Sequence, residues 1–369
     1  MPASLVRVLL LDTTAARRAR LERLLHGEPA LAVVGAAGSA QQATEMAARL
    51  RPDVILLGVA GAAAQAVGWV GEIMSGCPLP IVVVAADRPE AVQQRAFALL
   101  EAGAIAVLRE PSAPEGEACA QELAALRQSV RLMAEVKVVR RWRRPPVPPL
   151  PAPPARPRSR PRTAPAPLQL PAPAVAAPAK PGSVQLVAIG ASTGGPVALK
   201  RVLATLPASF PVPILIVQHI ADGFVDGLAS WLTAACAIPT EVARPGAQLA
   251  GGRAYIAPDG VHMRLAAGGR LEFDAGAPVN GHRPAVSCLF ASVAVHCAGR
   301  SVAILLTGMG RDGAAELKLL RDGGALTIAQ DRASSVIHGM PGEAIRCGGA
   351  TYVMSPEEMA AALPALVAR

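Results

Sequence analysis

Residues 145–181 contain 15 prolines and no hydrophobic period. Proline fixes φ and offers no backbone N–H, so neither a helix interior nor a central strand can pass through such a run. The sequence therefore folds as two blocks joined by an extended, semi-rigid spacer. Its 369 residues suffice for two cores. The spacer also carries the charge: residues 137–182 hold ten Lys or Arg and no acid, so the net +9 of the chain falls to about −1 without them. The near-neutral flanks give no sign of a nucleic-acid-binding domain. P-x-x-P segments and arginines of this kind can dock on SH3-like grooves or acidic surfaces, but the composition favours a solvated spacer.

Both blocks alternate short aliphatic runs with amphipathic stretches. In the first, strands are expected at residues 6–11, 31–36, 53–59, 80–86 and 104–109, each followed by a helix, the last running from about Glu117 to about Arg141. In the second they are expected at 184–190, 212–218, 301–307, 325–329 and 350–354. Between Thr240 and Phe273 the runs shorten around a Gly268-Gly269 turn, which predicts a small antiparallel excursion without a helix. Continuous Val/Ile/Leu strands separated by helices define parallel sheets covered on both faces. The expected units are residues 1–141, a Pro-rich basic linker at 142–182, and 183–369. Six cysteines at 77, 119, 236, 288, 297 and 347 show no C-x-x-C spacing, so they read as reduced thiols rather than a zinc site or a disulfide framework. The apolar run from Val8 ends at Asp12, and no stretch of 18 apolar residues occurs beyond it, so the expectation is a cytoplasmic chain without membrane insertion.

In a parallel sheet the chemistry gathers beyond the carboxyl ends of the strands. The strand at 184–190 leads into Gly190-Ala191-Ser192-Thr193-Gly194-Gly195-Pro196, a G-x-S-x-G turn that exposes a serine ahead of helix N-terminal amides. The strand at 212–218 delivers His219, and the strand at 301–307 delivers Gly308-Met309-Gly310-Arg311-Asp312-Gly313. A hydroxyl, an imidazole and a carboxylate at one edge are the parts of a nucleophile, its general base and the acid that orients the base. Their order, Ser, His, Asp, differs from the Ser, Asp, His order of α/β-hydrolases. Singly, Ser192 or Asp312 would serve as a helix cap and His219 as a packed strand-end histidine. Capping does not require the three to coincide. Residues 308–313 also fit G-x-G-x-x-G, with Gln330-Asp331 near the spacing of a ribose-binding acid, so a dinucleotide-binding oxidoreductase is an alternative; it leaves Ser192 and His219 without a role. No G-K-[ST] comes after residues 190–195, which excludes a P-loop.

These runs, with Gln218-His219, Tyr255-Ile256-Ala257-Pro258, Val279-Asn280-Gly281-His282-Arg283-Pro284, Gln330-Asp331, Ala333-Ser334-Ser335-Val336 and Gly339-Met340-Pro341, resemble the chemotaxis protein-glutamate methylesterases, the CheB family. The resemblance spans residues 183–369 and implies a parallel-sheet α/β methylesterase domain. It implies hydrolysis of glutamyl γ-methyl esters on methyl-accepting chemoreceptors, deamidation of receptor glutamines, and no metal or organic cofactor. By the same resemblance Ser192 is the nucleophile, His219 the base and Asp312 its orienting acid, with Thr193 and the Met309 amide near the oxyanion. A chemosensory kinase or other regulator is a further implied partner. The different-class alternative is a non-catalytic adaptor that keeps the esterase fold as a docking surface; the intact Ser192, His219 and Asp312 argue against it.

The first block resembles the flavodoxin-like receiver domain that members of the family carry, but its phosphorylation residues depart from the pattern. Asp12 stands at one acidic ligand position and Thr13 at the second, Gly58 at the phosphoacceptor, Ala85 at the Ser or Thr, and Glu110 at the Lys. Phosphoryl transfer to a carboxylate needs the nucleophilic oxygen, a divalent ion and an offsetting cation. The expectation is a pseudo-receiver with no phosphoacceptor.

Overall fold

A computed structural model of the chain describes residues 5–59, 63–85, 90–111, 117–136 and 184–368; the expected linker at 142–182 lies outside them, and the helix expected to reach about Arg141 ends instead at Ala134, where the N–H groups of Glu135 and Val136 turn back to Leu132 and Met133. The first unit runs β1 (Val6–Leu11), α1 (Ala15–Leu25), β2 (Leu31–Ala37), α2 (Ala40–Leu50), β3 (Val54–Val59), α3 (Ala63–Gly76), β4 (Ile81–Ala85), α4 (Glu90–Ala102), β5 (Ala106–Arg109) and α5 (Glu117–Ala134). The strands are parallel in the order β2-β1-β3-β4-β5, the flavodoxin-like order. β3 and β4 are buried along their whole length, as strands covered on both faces must be. Thr14 and Ser39 cap α1 and α2 by accepting hydrogen bonds from the N–H groups of Arg17 and Gln42.

The second unit runs β6 (Leu186–Ala191), α6 (Gly195–Leu203), β7 (Ile214–Gln218), α7 (Val225–Ala235), β8 (Thr240–Val242), β9 (Ala254–Ile256), β10 (His262–Leu265), β11 (Leu271–Asp274), α8 (Val286–Cys297), β12 (Ser301–Leu305), α9 (Ala314–Asp322), β13 (Leu326–Gln330), α10 (Met340–Arg346), β14 (Tyr352–Met354) and α11 (Pro356–Val367). Its seven-stranded sheet has the order β14-β13-β12-β6-β7-β9-β8. The chain builds outward from β6 to one side and then returns to β12 on the other, so the order reverses beside β6 and opens a crevice at its carboxyl end.

The expected strands are all present within two residues of their expected ends. The excursion at 240–273 differs from expectation. β8 and β9 join the main sheet in parallel, and only β10 and β11 form an antiparallel pair. Ala254, Tyr255 and Ile256 are all buried, the mark of a strand covered on both faces, but a run of three is too short to show a period in sequence.

Alternate strand residues serve opposite faces. Val187, Ile189 and Ile304 pack against α6, α7 and α11, while Ala188, Ala303 and Leu305 pack against α8 and α9. The first of these cores continues into the first unit. At that seam Phe97 of α4 stacks on Trp231 of α7 with centroids 5.2 Å apart, and Lys200 of α6 sits over the Trp231 ring and pairs with Glu101. Met309, Val336 and Ile337 of the second unit pack against the first-unit cluster that includes Ile105, Met133 and Val136.

The start of α8 comes close to the sheet because two glycines admit it. A Cβ on Gly190 would stand 2.3 Å from Val286 Cγ1, and one on Gly313 would stand 2.4 Å from the same methyl. Gly190→Ala is therefore expected to destabilise the chain by about 1–3 kcal/mol through overpacking. In urea unfolding, the double variant with Val286→Ala should lose less than the two single losses added together; strict additivity would show that the two sites are not in contact.

Candidate active site

β6 and β7 run in register with Ala191 opposite Gln218, so the next residues, Ser192 and His219, leave the sheet side by side. The His219 N–H donates to the Ala191 carbonyl at 2.9 Å. The Gln218 amide then donates to both the Ser192 and the His219 carbonyls at 2.8 Å, joining the two exits. The third exit, after β12, is tied in by Thr307. Its hydroxyl donates to the Thr193 carbonyl at 2.9 Å and accepts from the Ile337 N–H at 3.0 Å, and its own N–H donates to the Gln330 side chain at 2.7 Å. These bonds hold a geometry that loops alone would not, while Gln218 Oε1 stays buried without a hydrogen-bond partner among the described residues.

His219 and Asp312 are brought together, with Nε2 2.9 Å from Oδ2. Asp312 is only 1% exposed. Burial alone would push its carboxyl up, but hydrogen bonds from His219, Asn280 and Ser287 hold it well below the usual carboxylate range. Its donors come from four groups: His219 Nε2, Asn280 Nδ2 at 2.9 Å, and the N–H groups of Val286 and Ser287 at 2.6 and 3.2 Å. Asp312 thus caps a helix, as one sequence reading allowed, but the helix is α8 rather than its own. α9 has Gly313 at its N-cap and so no side-chain cap, and the Ala285 side chain gives α8 none.

The Nδ1 atom of His219 is buried and has no hydrogen-bond partner among the described residues. Ser192 leaves the neighbouring strand exit half-buried, and no hydrogen bond joins its hydroxyl to His219 among the described residues. The N–H groups of Thr193 and Met309 have no acceptor among the described residues. Met309 comes after Gly308, where a Cβ would meet Ser192 Cβ at 2.7 Å and Met340 Sδ at 2.3 Å. Gly308 and Gly313 of the G-x-G-x-x-G run thus serve close approach of Ser192 and α8, Gly310 instead takes a φ of 80° with nothing close to it, and Asp331 accepts from Ser334 in its own turn. That arrangement gives no support to a dinucleotide site.

Sequence alone assigns no role to several residues of the site. Asn280 and Gly281 have φ of 52° and 80°, and Val279 and His282 exchange two backbone hydrogen bonds at 3.0 Å, a two-residue hairpin turn of the kind Asn-Gly favours. The Asn-Gly pair signals the turn, but not that Asn280 meets Asp312 or that His282 stacks on His219 with ring centroids 3.8 Å apart and planes at 9°. Ser287 is a further one: its hydroxyl donates to Glu316 at 2.7 Å and accepts from the Gly313 N–H at 3.0 Å.

In the first unit the acid pocket is occupied by the chain itself. Arg17 Nε donates to Asp12 Oδ2 at 3.0 Å, the Arg17 guanidinium lies 3.7 Å from Glu110, and Arg20 pairs with Glu110. A Cβ on Gly58 would stand 2.4 Å from Asp12 Oδ2. A divalent ion of the kind receivers bind needs the Asp12 oxygen that Arg17 holds, a second acid where Thr13 stands and a carboxylate at Gly58; these residues do not fit it.

A parallel α/β domain with a hydroxyl, an imidazole and a carboxylate at one strand edge, joined to a flavodoxin-like unit, has the features of a hydrolase. A family model described as CheB methylesterase matches residues 187–363. A protein of Geobacter metallireducens named protein-glutamate methylesterase/protein-glutamine glutaminase 4 is 42% identical over 367 residues, 98% of this chain and 99% of its own length. One from Syntrophus aciditrophicus, named protein-glutamate methylesterase/protein-glutamine glutaminase 1, is 41% identical over 97% of each. The solved Thermotoga maritima CheB methylesterase catalytic domain is 35% identical, with a TM-score of 0.49, and covers 50% of this chain and 100% of its own. The chain belongs to the CheB methylesterase family.

The depressed Asp312 pKa has a pH signature. The unfolded chain takes up a proton near pH 4 that the folded site refuses, so the carboxylate's stabilisation is complete above about pH 4 and is lost as pH falls below it. The stability gap between the wild type and Asp312→Asn, read from urea midpoints, should narrow between about pH 5 and about pH 3. A gap constant over that interval would show that the folded carboxyl titrates normally.

Proposed function

We propose that this protein hydrolyses γ-methyl esters of glutamates on methyl-accepting chemoreceptors, releasing methanol, and deamidates receptor glutamines. The observation that carries the reading is the His219–Asp312 pair, with the buried Nδ1 left without a partner at the strand exit adjoining that of Ser192. Nδ1 of His219 takes the Ser192 proton as the oxygen attacks the ester carbon. The N–H groups of Thr193 and Met309 receive the charge that develops on the carbonyl oxygen, and Asp312 stabilises the imidazolium. His219 returns the proton to the departing methoxide, and water then hydrolyses the acyl-enzyme through the same groups. Deamidation takes the same path with ammonia as the leaving group. The names of the full-length relatives support the substrate assignment. The protein acts in the cytoplasm, with a chemosensory kinase or other regulator as a second partner; among the described residues no helix is long and apolar enough to cross a membrane.

The units are a pseudo-receiver at 1–141, a linker at 142–182 and the catalytic domain at 183–369. The pseudo-receiver takes no phosphoryl group at position 58, a reading supported by the Arg17 and Arg20 pairing with Asp12 and Glu110.

Two measurements test these readings. Methanol release from a methylated receptor fragment should fall by at least about a thousand-fold in Ser192→Ala; equal release by the variant would remove the serine mechanism. Incubation with a small phosphodonor should leave the intact mass unchanged, and stoichiometric acid-labile phosphate in residues 1–141 would overturn the pseudo-receiver.

A further inference from the structure

We infer that His282 is a positioning residue for the base: its ring is the platform that fixes the plane of the His219 imidazole for proton transfer. The inference rests on the reading of His219 as the base. An imidazole held at one edge by a single hydrogen bond, here from Nε2 to Asp312, can still swing about that bond and carry its far nitrogen out of line. The His282 ring lies flat against it, 3.8 Å away and within 9° of parallel, which removes that swing.

The platform is itself anchored. His282 closes the hairpin turn whose Asn280 donates to Asp312, so one four-residue turn fixes the acid and the ring that faces the base. Among the described residues the His282 side chain makes no hydrogen bond, so the stack is the contact through which it acts. Burial, together with the neighbouring His219, lowers its pKa to about 4. At neutral pH it is uncharged and does not oppose the positive charge that His219 gains when it takes the serine proton.

Full-length wild type, Ser192→Ala, His282→Ala, His282→Gln and His282→Phe are compared in methanol release from a methylated receptor fragment, with circular dichroism of each. His282→Ala and His282→Gln should lose about 10-fold to 100-fold in kcat with KM unchanged, the scale set by a misaligned reacting group. His282→Phe keeps a flat ring and should recover most of kcat. Unchanged kcat in the folded Ala or Gln variant would overturn the inference. So would a Phe variant as impaired as Gln, because the ring nitrogens would then be what matters. A wild type without release, or an active Ser192→Ala, would overturn the esterase mechanism and this inference with it. An active wild type, an inactive Ser192→Ala and an unaffected His282 series would overturn this inference alone.

Discussion

A buried negative charge is the constraint around which the catalytic domain is arranged. Asp312 has almost no solvent, so its charge persists only because four N–H donors converge on it from three separate parts of the chain. Two of those donors are the first amides of α8, which must reach within hydrogen-bond distance of a residue beyond β12. That approach requires bare backbone where Val286 crosses the sheet, and Gly190 and Gly313 supply it. The charge, the helix position and the two glycines are one solution to one electrostatic problem. The orientation of His219 is a further part of it, since the oxygen that meets Val286 also meets Nε2.

The first unit meets the same difficulty with opposite means. Asp12 and Glu110 are both buried, 2% and 5% exposed, and two carboxylates in such a place need cations. Arg17 and Arg20 of α1 provide them, linking the end of β1 to the end of β5 through one helix. The residues of this pocket are mutually consistent: with Gly at 58 and Glu at 110, an arginine is the group that balances the charge.

Much of this architecture is legible in sequence because it depends on local pattern. The aliphatic runs at β3, β4, β6, β7 and β12 are long enough to mark buried parallel strands, and Ser192, His219 and Asp312 stand just beyond the carboxyl ends of three of them. β8 and β9 read as antiparallel in sequence because three residues carry no period. Asn280 and His282 are visible there only as a turn, since their contacts to Asp312 and His219 span 32 and 63 positions. The seam is not legible for the same reason: nothing near Phe97 or Lys200 in sequence announces Trp231 or Glu101.

Met309 belongs to two neighbourhoods at once. Its side chain rests on the apolar cluster of the first unit, while the residue before it touches Ser192. The docking surface and the reaction centre therefore have a peptide unit in common.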